Sequence, residues 1–230
     1  MNLHPAAVPR IATLIPAHNE VGTIAAVIHG LAPFGLHRVL VVDDASDDGT
    51  GAVAQAAGAQ ILRLDPGRGG GKAQAMRAGI ALLREDEFDY YLFLDGDGQH
   101  DPADLQNFLD HLALDPKADF LLGSRHSERH KIPRRRWNTN ALGSWTLGRI
   151  AGVHWEDSQC GFRMVKKKVL DRIELRSKGF AIEMEMTMKA ADWKLRWAHI
   201  PVKAIYHETW ASHFRGALDT YLIAFASLSC

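Results

Sequence analysis

The chain has 230 residues, 47% apolar and 23% charged, which suits one soluble globular domain with ample chain for a buried core. Lys plus Arg equals Asp plus Glu at 27 each, so no overall charge argues for nucleic acid or an acidic polymer. The cysteines, Cys160 and Cys230, are too few for a disulfide framework and match no zinc spacing, so they read as free thiols of a reducing cytosol.

The first ten residues, MNLHPAAVPR, lack the apolar stretch of a signal peptide. No run reaches the roughly 18 to 20 apolar residues that span a bilayer. The best candidate, Tyr221 to Leu228, is under half that length. The chain is therefore expected in the cytoplasm, either free or peripheral on the cytoplasmic face of a membrane.

Ile11 to Ile15 reads as a strand, followed by the loop Pro16-Ala17-His18-Asn19. Asn19 is placed to cap a helix from Glu20 to Leu31. Arg38 to Val42 is nearly all apolar, as a strand buried on both faces of a parallel sheet must be. The turn Asp43-Asp44-Ala45-Ser46-Asp47-Asp48-Gly49-Thr50 leads to a helix ending near Ala57. A third strand, Gln60 to Leu64, precedes the loop Asp65 to Gly71, and a helix runs from Lys72 to about Arg84. Tyr90 to Leu94 is the fourth strand, ending at an acidic cluster. Asp101-Pro102 caps another helix, and Phe120 to Gly123 is a fifth strand. Basic and tryptophan-containing segments follow, Lys131 to Trp137 and Trp145 to Trp155. Helices are predicted near Lys166 to Ile173 and Ala181 to Asp192, and Leu195 to Ile205 reads as extended, with Pro201 at a bend or edge.

This βαβ alternation predicts an α/β fold with a mainly parallel sheet, whose ligands lie beyond the carboxyl ends of the strands. His18-Asn19-Glu20, Asp43-Asp44, the glycine-rich loop and Asp95/Asp97 all follow strand ends. They converge on one crevice, as a nucleotide site requires. Residues 1–230 read as a single domain: about 10–123 forms the nucleotide-binding half, about 124–206 the acceptor side, and 207–230 a tail.

Asp95-Gly96-Asp97-Gly98-Gln99-His100 sets two carboxylates on a tight turn, where they repel unless a cation lies between them. Hard oxygen ligands suit Mg²⁺ or Mn²⁺, with diphosphate and water completing the sphere. Asp44 is a candidate for a ribose or base edge, whereas Asp47 and Asp48 read as helix caps. Gly67-Arg68-Gly69-Gly70-Gly71-Lys72 is not a P-loop: Pro66 stands where the first glycine belongs, and Ala73 replaces the hydroxyl residue. It still opens a helix with Lys72, either as a nucleotide contact or as a plain loop. Arg125 and Arg163 suit bidentate phosphate contacts. Arg134-Arg135-Arg136 reads as a solvated face, a phosphate patch or a membrane-surface contact. His126 and His130 are read as ordinary loop residues.

Taken in order, these motifs, together with Pro16-Ala17-His18-Asn19-Glu20, Gly71-Lys72-Ala73, Ser124-Arg125 and Asp157-Ser158-Gln159-Cys160-Gly161-Phe162-Arg163, resemble family 2 glycosyltransferases. The similarity is closest to the dolichol-phosphate mannose synthase and polyprenyl-phosphate glycosyltransferase branch, over roughly residues 11–206. The resemblance implies a GT-A fold and inverting transfer from a nucleotide-diphosphate sugar such as a GDP- or UDP-sugar. By the same resemblance, Pro16, Ala17, Asn19, Glu20, Asp44 and Lys72 contact the nucleotide. Asp95 and Gly96, with Asp97 and Gln99, hold the metal and diphosphate, and Arg125 and Arg163 handle the donor diphosphate and a phosphate acceptor. Ala45 departs from the pattern, since glycine is common there.

The acceptor is expected to be a lipid phosphate, which needs no general base. A hydroxyl acceptor would need one, with Asp157 as first candidate and Glu156 second. The other reading of Asp157 is a carboxylate that orients Arg163 or the following loop. The tail from His213 to Ile223 reads as an amphipathic helix for a membrane, for the core, or for a homodimer contact. Readings of other classes are a phosphohydrolase with Asp95 as nucleophile, a sugar-phosphate nucleotidyltransferase and a non-catalytic nucleotide-sugar-binding module.

Overall fold

A computed structural model describes residues 9–65, 71–191, 193 and 195–205. The predicted tail, most of the glycine-rich loop and Asp192 lie outside the described residues.

Seven strands form one sheet: β1 (Ile11–Ala17), β2 (Arg38–Asp43), β3 (Gln60–Arg63), β4 (Tyr90–Phe93), β5 (Phe120–Ser124), β6 (Arg163–Lys166) and β7 (Trp197–Pro201). Their spatial order is β3-β2-β1-β4-β6-β5-β7. All pairings are parallel except those of β6, which runs antiparallel between β4 and β5. The helices are α1 (Ile24–Leu31), α2 (Thr50–Ala56), α3 (Lys72–Leu83), α4 (Leu105–Leu114), α5 (Arg134–Ala151), α6 (Lys167–Leu170) and α7 (Ala181–Ala191).

The sequence explains the packing. β1, β2 and β4 are apolar on both faces because both faces are covered, and Leu14, Ile15, Leu40, Val41, Leu92 and Phe93 are all buried. α1 buries Ile24, Val27, Ile28 and Leu31, an i, i+3, i+4, i+7 stripe. α3 lies so close to β1 and β2 that a Cβ on Gly79 would sit 2.5 Å from Leu14 Cδ1.

Several expectations need correction. Asn19 does not cap a helix: it has φ +57°, its amide oxygen accepts from the Asp47 N–H at 3.0 Å, and α1 begins only at Ile24, after a turn. Asparagine tolerates the left-handed region, so Asn19 spends its side chain on tying two loops together. The helix predicted near Lys166 to Ile173 is present as the short α6 (Lys167–Leu170), and the strand β6, which was not predicted, precedes it and ends at Lys166. α5, for which no helix was predicted, has eighteen residues. Asp101 does cap as expected, accepting from the Ala103 N–H at 3.0 Å at the head of a 3-10 turn that runs into α4.

Candidate active site

Because β1, β2, β4 and β5 run in the same direction and β6 against them, the ends of four strands and the start of β6 meet at one edge of the sheet. This edge brings together His18 to Glu20, Asp43-Asp44, Asp95 to His100, Arg125 and the loop Asp157 to Gly161.

The β1 and β2 ends are cross-linked. The Asn19 N–H donates to Ser46 Oγ at 3.0 Å, the Glu20 N–H to Thr50 Oγ1 at 2.8 Å, and His18 Nδ1 lies 2.7 Å from the Asp44 carbonyl oxygen. Asp43 is wholly buried, accepting from Arg63 at 2.5 Å and from the Ser46 N–H at 2.8 Å, so it is a strut of this turn. Neither Asp47 nor Asp48 stands at the cap position of α2, which is Gly49; Asp48 instead accepts from the Thr50 N–H at 2.9 Å from one residue ahead of it, and the Asp47 N–H donates to Asn19. Asp44 differs from both: it is buried, yet its Oδ1 has no partner. A buried acceptor left open costs free energy until something donates to it. Pro16 and Ala17, read as loop in the sequence, are the last two residues of β1, paired with Val42 and Asp43, with Ala17 buried and Pro16 half-buried.

The acidic turn is the electrostatic centre. Lys72 Nζ lies 2.6 Å from Asp95 Oδ1 and 3.1 Å from Glu183 Oε2, joining α3, the end of β4 and α7. Burial would raise the Asp95 carboxyl pKa, but the Lys72 ammonium holds it below the usual range. Among the described residues Asp97 forms no ion pair, and the Lys72 charge only partly offsets its burial. Burial, reinforced by the Asp95 charge, pushes its carboxyl up to about 7. Glu20 is also raised, first by burial and further by Asp95. The Gln99 N–H donates to Asp97 Oδ1 at 2.9 Å, and Thr23 Oγ1 donates to the Gly96 carbonyl at 2.7 Å, which fixes the turn against α1. Gly161 approaches the Asp95 carboxylate so closely that a Cβ there would overlap it.

Arg125 and Asp157 engage each other. Arg125 Nε donates to Asp157 Oδ2 at 2.7 Å and Nη2 to Oδ1 at 2.9 Å, both residues being buried. Burial would raise the Asp157 pKa, but the guanidinium keeps it low. Asp157 thus orients Arg125, not Arg163. Glu156 accepts from Ser124 Oγ at 2.6 Å. Arg163, expected at the phosphates, is fully buried: Nε donates to the Cys160 carbonyl at 3.2 Å, and Nη1 donates to the Glu183 carbonyl at 2.9 Å and to Thr187 Oγ1 at 3.1 Å.

Two residues of this region escaped sequence reasoning. Glu183 sits in the first turn of α7, inside a run that reads simply as helix. His100 is buried behind the acidic turn, pushed down to about 4 by burial and then by the Arg125 charge, with Nδ1 unpartnered. Its place directly after the Asp95–Gln99 cluster was the available signal. Cys160 is buried and its thiol is raised to about 12 by that burial, which suits a packing residue.

A mainly parallel sheet with one antiparallel strand, and an acidic turn at the carboxyl edge of its central strand, define the GT-A class of nucleotide-sugar transferases. The fold is shared with glucosyl-3-phosphoglycerate synthase of Mycobacterium tuberculosis, solved with Mn²⁺, UDP and glucosyl-3-phosphoglycerate: TM-score 0.74 and 19% identity, covering 96% of this chain and 79% of that one. The chain belongs to glycosyl transferase family 2, which residues 13–174 match, and it is a glycosyltransferase. It is 32% identical over 197 residues to the glycosyltransferase AglJ of Haloferax volcanii, spanning 83% of this chain but only 61% of AglJ. It is 29% identical over 225 residues to the polyprenol monophosphomannose synthase of Mycolicibacterium smegmatis, spanning 90% of this chain and 82% of that protein.

Among the described residues, no group of three or more His, Cys, Asp and Glu side chains forms a self-sufficient metal cage. The donor set nevertheless fits a hard divalent cation that shares its sphere with a ligand. Asp95 and Asp97 supply carboxylate oxygens two residues apart on one tight turn, the hard donors such a cation takes. Also among the described residues, no helix is long and apolar enough to cross a membrane.

Proposed function

We propose that the chain moves a sugar, with inversion at the anomeric carbon, from a GDP- or UDP-sugar to a polyprenyl phosphate, using Mg²⁺ or Mn²⁺. The observation that carries this reading is the acidic turn Asp95-Gly96-Asp97 at the crevice, partnered by Lys72 and lying on the same edge as the unpaired Asp44 oxygen. Asp44, with the Pro16-Ala17 and Asn19-Glu20 backbone beside it, receives the nucleoside. Asp95, Asp97 and Gln99 hold the cation and, with Gly96, the diphosphate. A bound divalent ion would neutralise the charge that develops on the leaving diphosphate. Lys72 stands ready to exchange a carboxylate for a phosphate oxygen, and Arg125 is the guanidinium for the acceptor phosphate. Arg163 acts as a positioning residue, fixing the first turn of α7 and with it Glu183 against Lys72.

The lipid-phosphate acceptor is favoured by the name of the mycobacterial relative, a polyprenol monophosphomannose synthase, and by the state of Asp157. A carboxylate committed to a bidentate arginine is a poor general base, whereas an anionic phosphate acceptor needs none. A hydroxyl acceptor would shift attention to Glu156, whose carboxylate accepts from Ser124 Oγ and lies close enough to His199 to act on its charge.

The test is a thermal-shift screen of UDP-, GDP- and dTDP-sugars with and without Mn²⁺, since a ligand bound to the folded state raises apparent stability by mass action. The donor that shifts the melt is then offered with polyprenyl phosphate, and transfer is followed by the appearance of a lipid-linked sugar. Asp97→Ala should remove the metal dependence. If no nucleotide sugar shifts the melt under any metal condition, the donor reading fails. If donor binds but only a hydroxyl acceptor is glycosylated, the acceptor assignment fails alone.

A further inference from the structure

Charged side chains of alternating sign run inward from the crevice in a single row. Asp95 Oδ1 lies 2.6 Å from Lys72 Nζ, that ammonium lies 3.1 Å from Glu183 Oε2, and Glu183 Oε1 lies 3.7 Å from Arg163 Nη2. Side-chain exposure falls along the row, from 25% at Asp95 through 12% at Lys72 and 9% at Glu183 to 0% at Arg163. A ligand entering the crevice therefore meets Asp95 first, and Glu183 lies behind Lys72.

Lys72 thus has two carboxylate partners, and the proposed chemistry calls on one of them. An ammonium 2.6 Å from Asp95 and a divalent cation on the same carboxylate would repel each other. Yet a nearly buried ammonium cannot give up its counter-charge without a large penalty. Glu183 removes the conflict. It is already in contact with Lys72, and its own place is fixed: Arg163 Nη1 donates to the Glu183 carbonyl at 2.9 Å, and Thr187 Oγ1 donates to the same carbonyl at 2.8 Å. The Phe180 ring, centred 5.4 Å from Lys72 Nζ, adds a second attraction to the ammonium.

We propose that Glu183 is a positioning residue that retains Lys72 when a divalent cation displaces it from Asp95. A residue of α7 outside the proposed ligand set then governs how readily the metal binds. The ammonium stays in the crevice, where a phosphate oxygen of the donor can replace Asp95 as its partner. This inference rests on the metal and donor chemistry proposed above.

The test is the Mn²⁺ concentration that gives half of the donor-induced melting shift, measured on the full chain with the UDP- or GDP-sugar that stabilises it. The parent, Glu183→Gln, Lys72→Met and the double variant form a cycle. Glu183→Gln keeps the side-chain volume and leaves Arg163 its bonds to the Cys160 carbonyl and Thr187. It should need about tenfold more Mn²⁺ than the parent, a coupling of the size found within one charge network, because Lys72 is then held by Asp95 alone. In the Lys72→Met background the same substitution should change the requirement by about twofold or less, since no ammonium is left to compete. Should Glu183→Gln melt too low for titration, Glu183→Asp, which holds its charge one methylene short of Lys72, replaces it in the cycle with the same direction expected.

An equal rise in both backgrounds would mean that Glu183 acts on the cation or the donor directly, and it overturns the proposal. So does an unchanged requirement in Glu183→Gln. If Lys72→Met gives no donor shift at saturating Mn²⁺, the cycle is read with Mn²⁺ alone, from the paramagnetic resonance signal of the free ion, and the same outcomes decide. Absence of any donor shift in the parent would sink the donor reading, while the cycle with Mn²⁺ alone would still judge the role of Glu183. Mn²⁺ that binds the parent neither alone nor with donor overturns both.

Discussion

Removing the Asp157 carboxylate should destabilise the chain far more than removing an average surface acid. Asp157 is 2% exposed and accepts three hydrogen bonds from Arg125, two from the guanidinium and one from the backbone N–H at 3.3 Å. Asp157→Ala leaves the Arg125 charge buried, and breaking one side of a buried pair costs about 3–5 kcal/mol. For a domain of this length each kcal/mol moves the melting temperature by about 2–4 °C, so the expected loss is roughly 6–20 °C. Urea unfolding followed by circular dichroism measures the free energy directly, with an unchanged m-value showing that the unfolded state is not what moved. Arg125→Met/Asp157→Leu should recover part of the loss, since no charge is then stranded.

The same pair carries a pH signature. Arg125 holds the Asp157 carboxyl below its unfolded pKa, so its contribution is fully present above the unfolded value near 4 and is lost as pH falls through the lower folded value. The acid limb of the parent stability curve should therefore be shallower in Asp157→Asn. If Asp157→Ala unfolds within about 1 kcal/mol of the parent, and the double variant is no better, the pair is an ornament of the crevice and the argument collapses.

Three further outcomes follow from the geometry. Ala45 has φ +56°, where a side chain costs about 1–2 kcal/mol, so Ala45→Gly should be neutral to about 1 kcal/mol more stable and Ala45→Val clearly less stable, by urea titration. Gly161→Ala should abolish any Mn²⁺-dependent nucleotide shift, because its methyl would displace the Asp95 carboxylate; a retained shift would show that Asp95 does not need its present place. Without metal, the raised Asp97 carboxyl stabilises the fold fully below its unfolded pKa, and that contribution is lost as pH rises through about 7. The difference between parent and Asp97→Asn melting temperatures should accordingly change between pH 5 and 8, and Mn²⁺ should cancel the change by supplying the missing charge.

What the sequence made legible was what local chemistry writes locally. Strands buried on both faces announce themselves as apolar runs, and turns rich in Asp and Gly announce where those runs stop, so β1, β2 and β4 and the polar clusters at their ends could be read in order. β6 could not. Its four residues, Arg163 to Lys166, are too few to show a period, and their place between β4 and β5 is decided by pairing across long stretches of chain. α5 escaped for a different reason: its small residues face inward and its large apolar ones outward, so no conventional stripe marks the buried side. Glu183 was hidden because its significance lies in Lys72, a residue on another helix. Asn19 was misread because a good capping residue is also a good left-handed one, and the sequence does not say which property is in use.

The crevice also has an internal logic that only the assembled structure displays. Lys72 is matched by Asp95 and Glu183, and Arg125 by Asp157. Among the described residues, Lys72 and Arg125 are thus already paired with protein carboxylates, so on the proposed assignment binding a diphosphate would be an exchange of partners and not the filling of an open positive site. Exchange lowers the gain from any one contact, because each new ion pair replaces an old one. It also keeps two cations buried without the penalty of an unpaired charge while the site is empty. The exception is the Asp95-Asp97 pair, where the excess is negative and Lys72 answers only one member. On the proposed donor chemistry, a divalent cation entering with the diphosphate would meet the negative excess at Asp95 and Asp97, so ligand binding at this site should be strongly conditional on the metal.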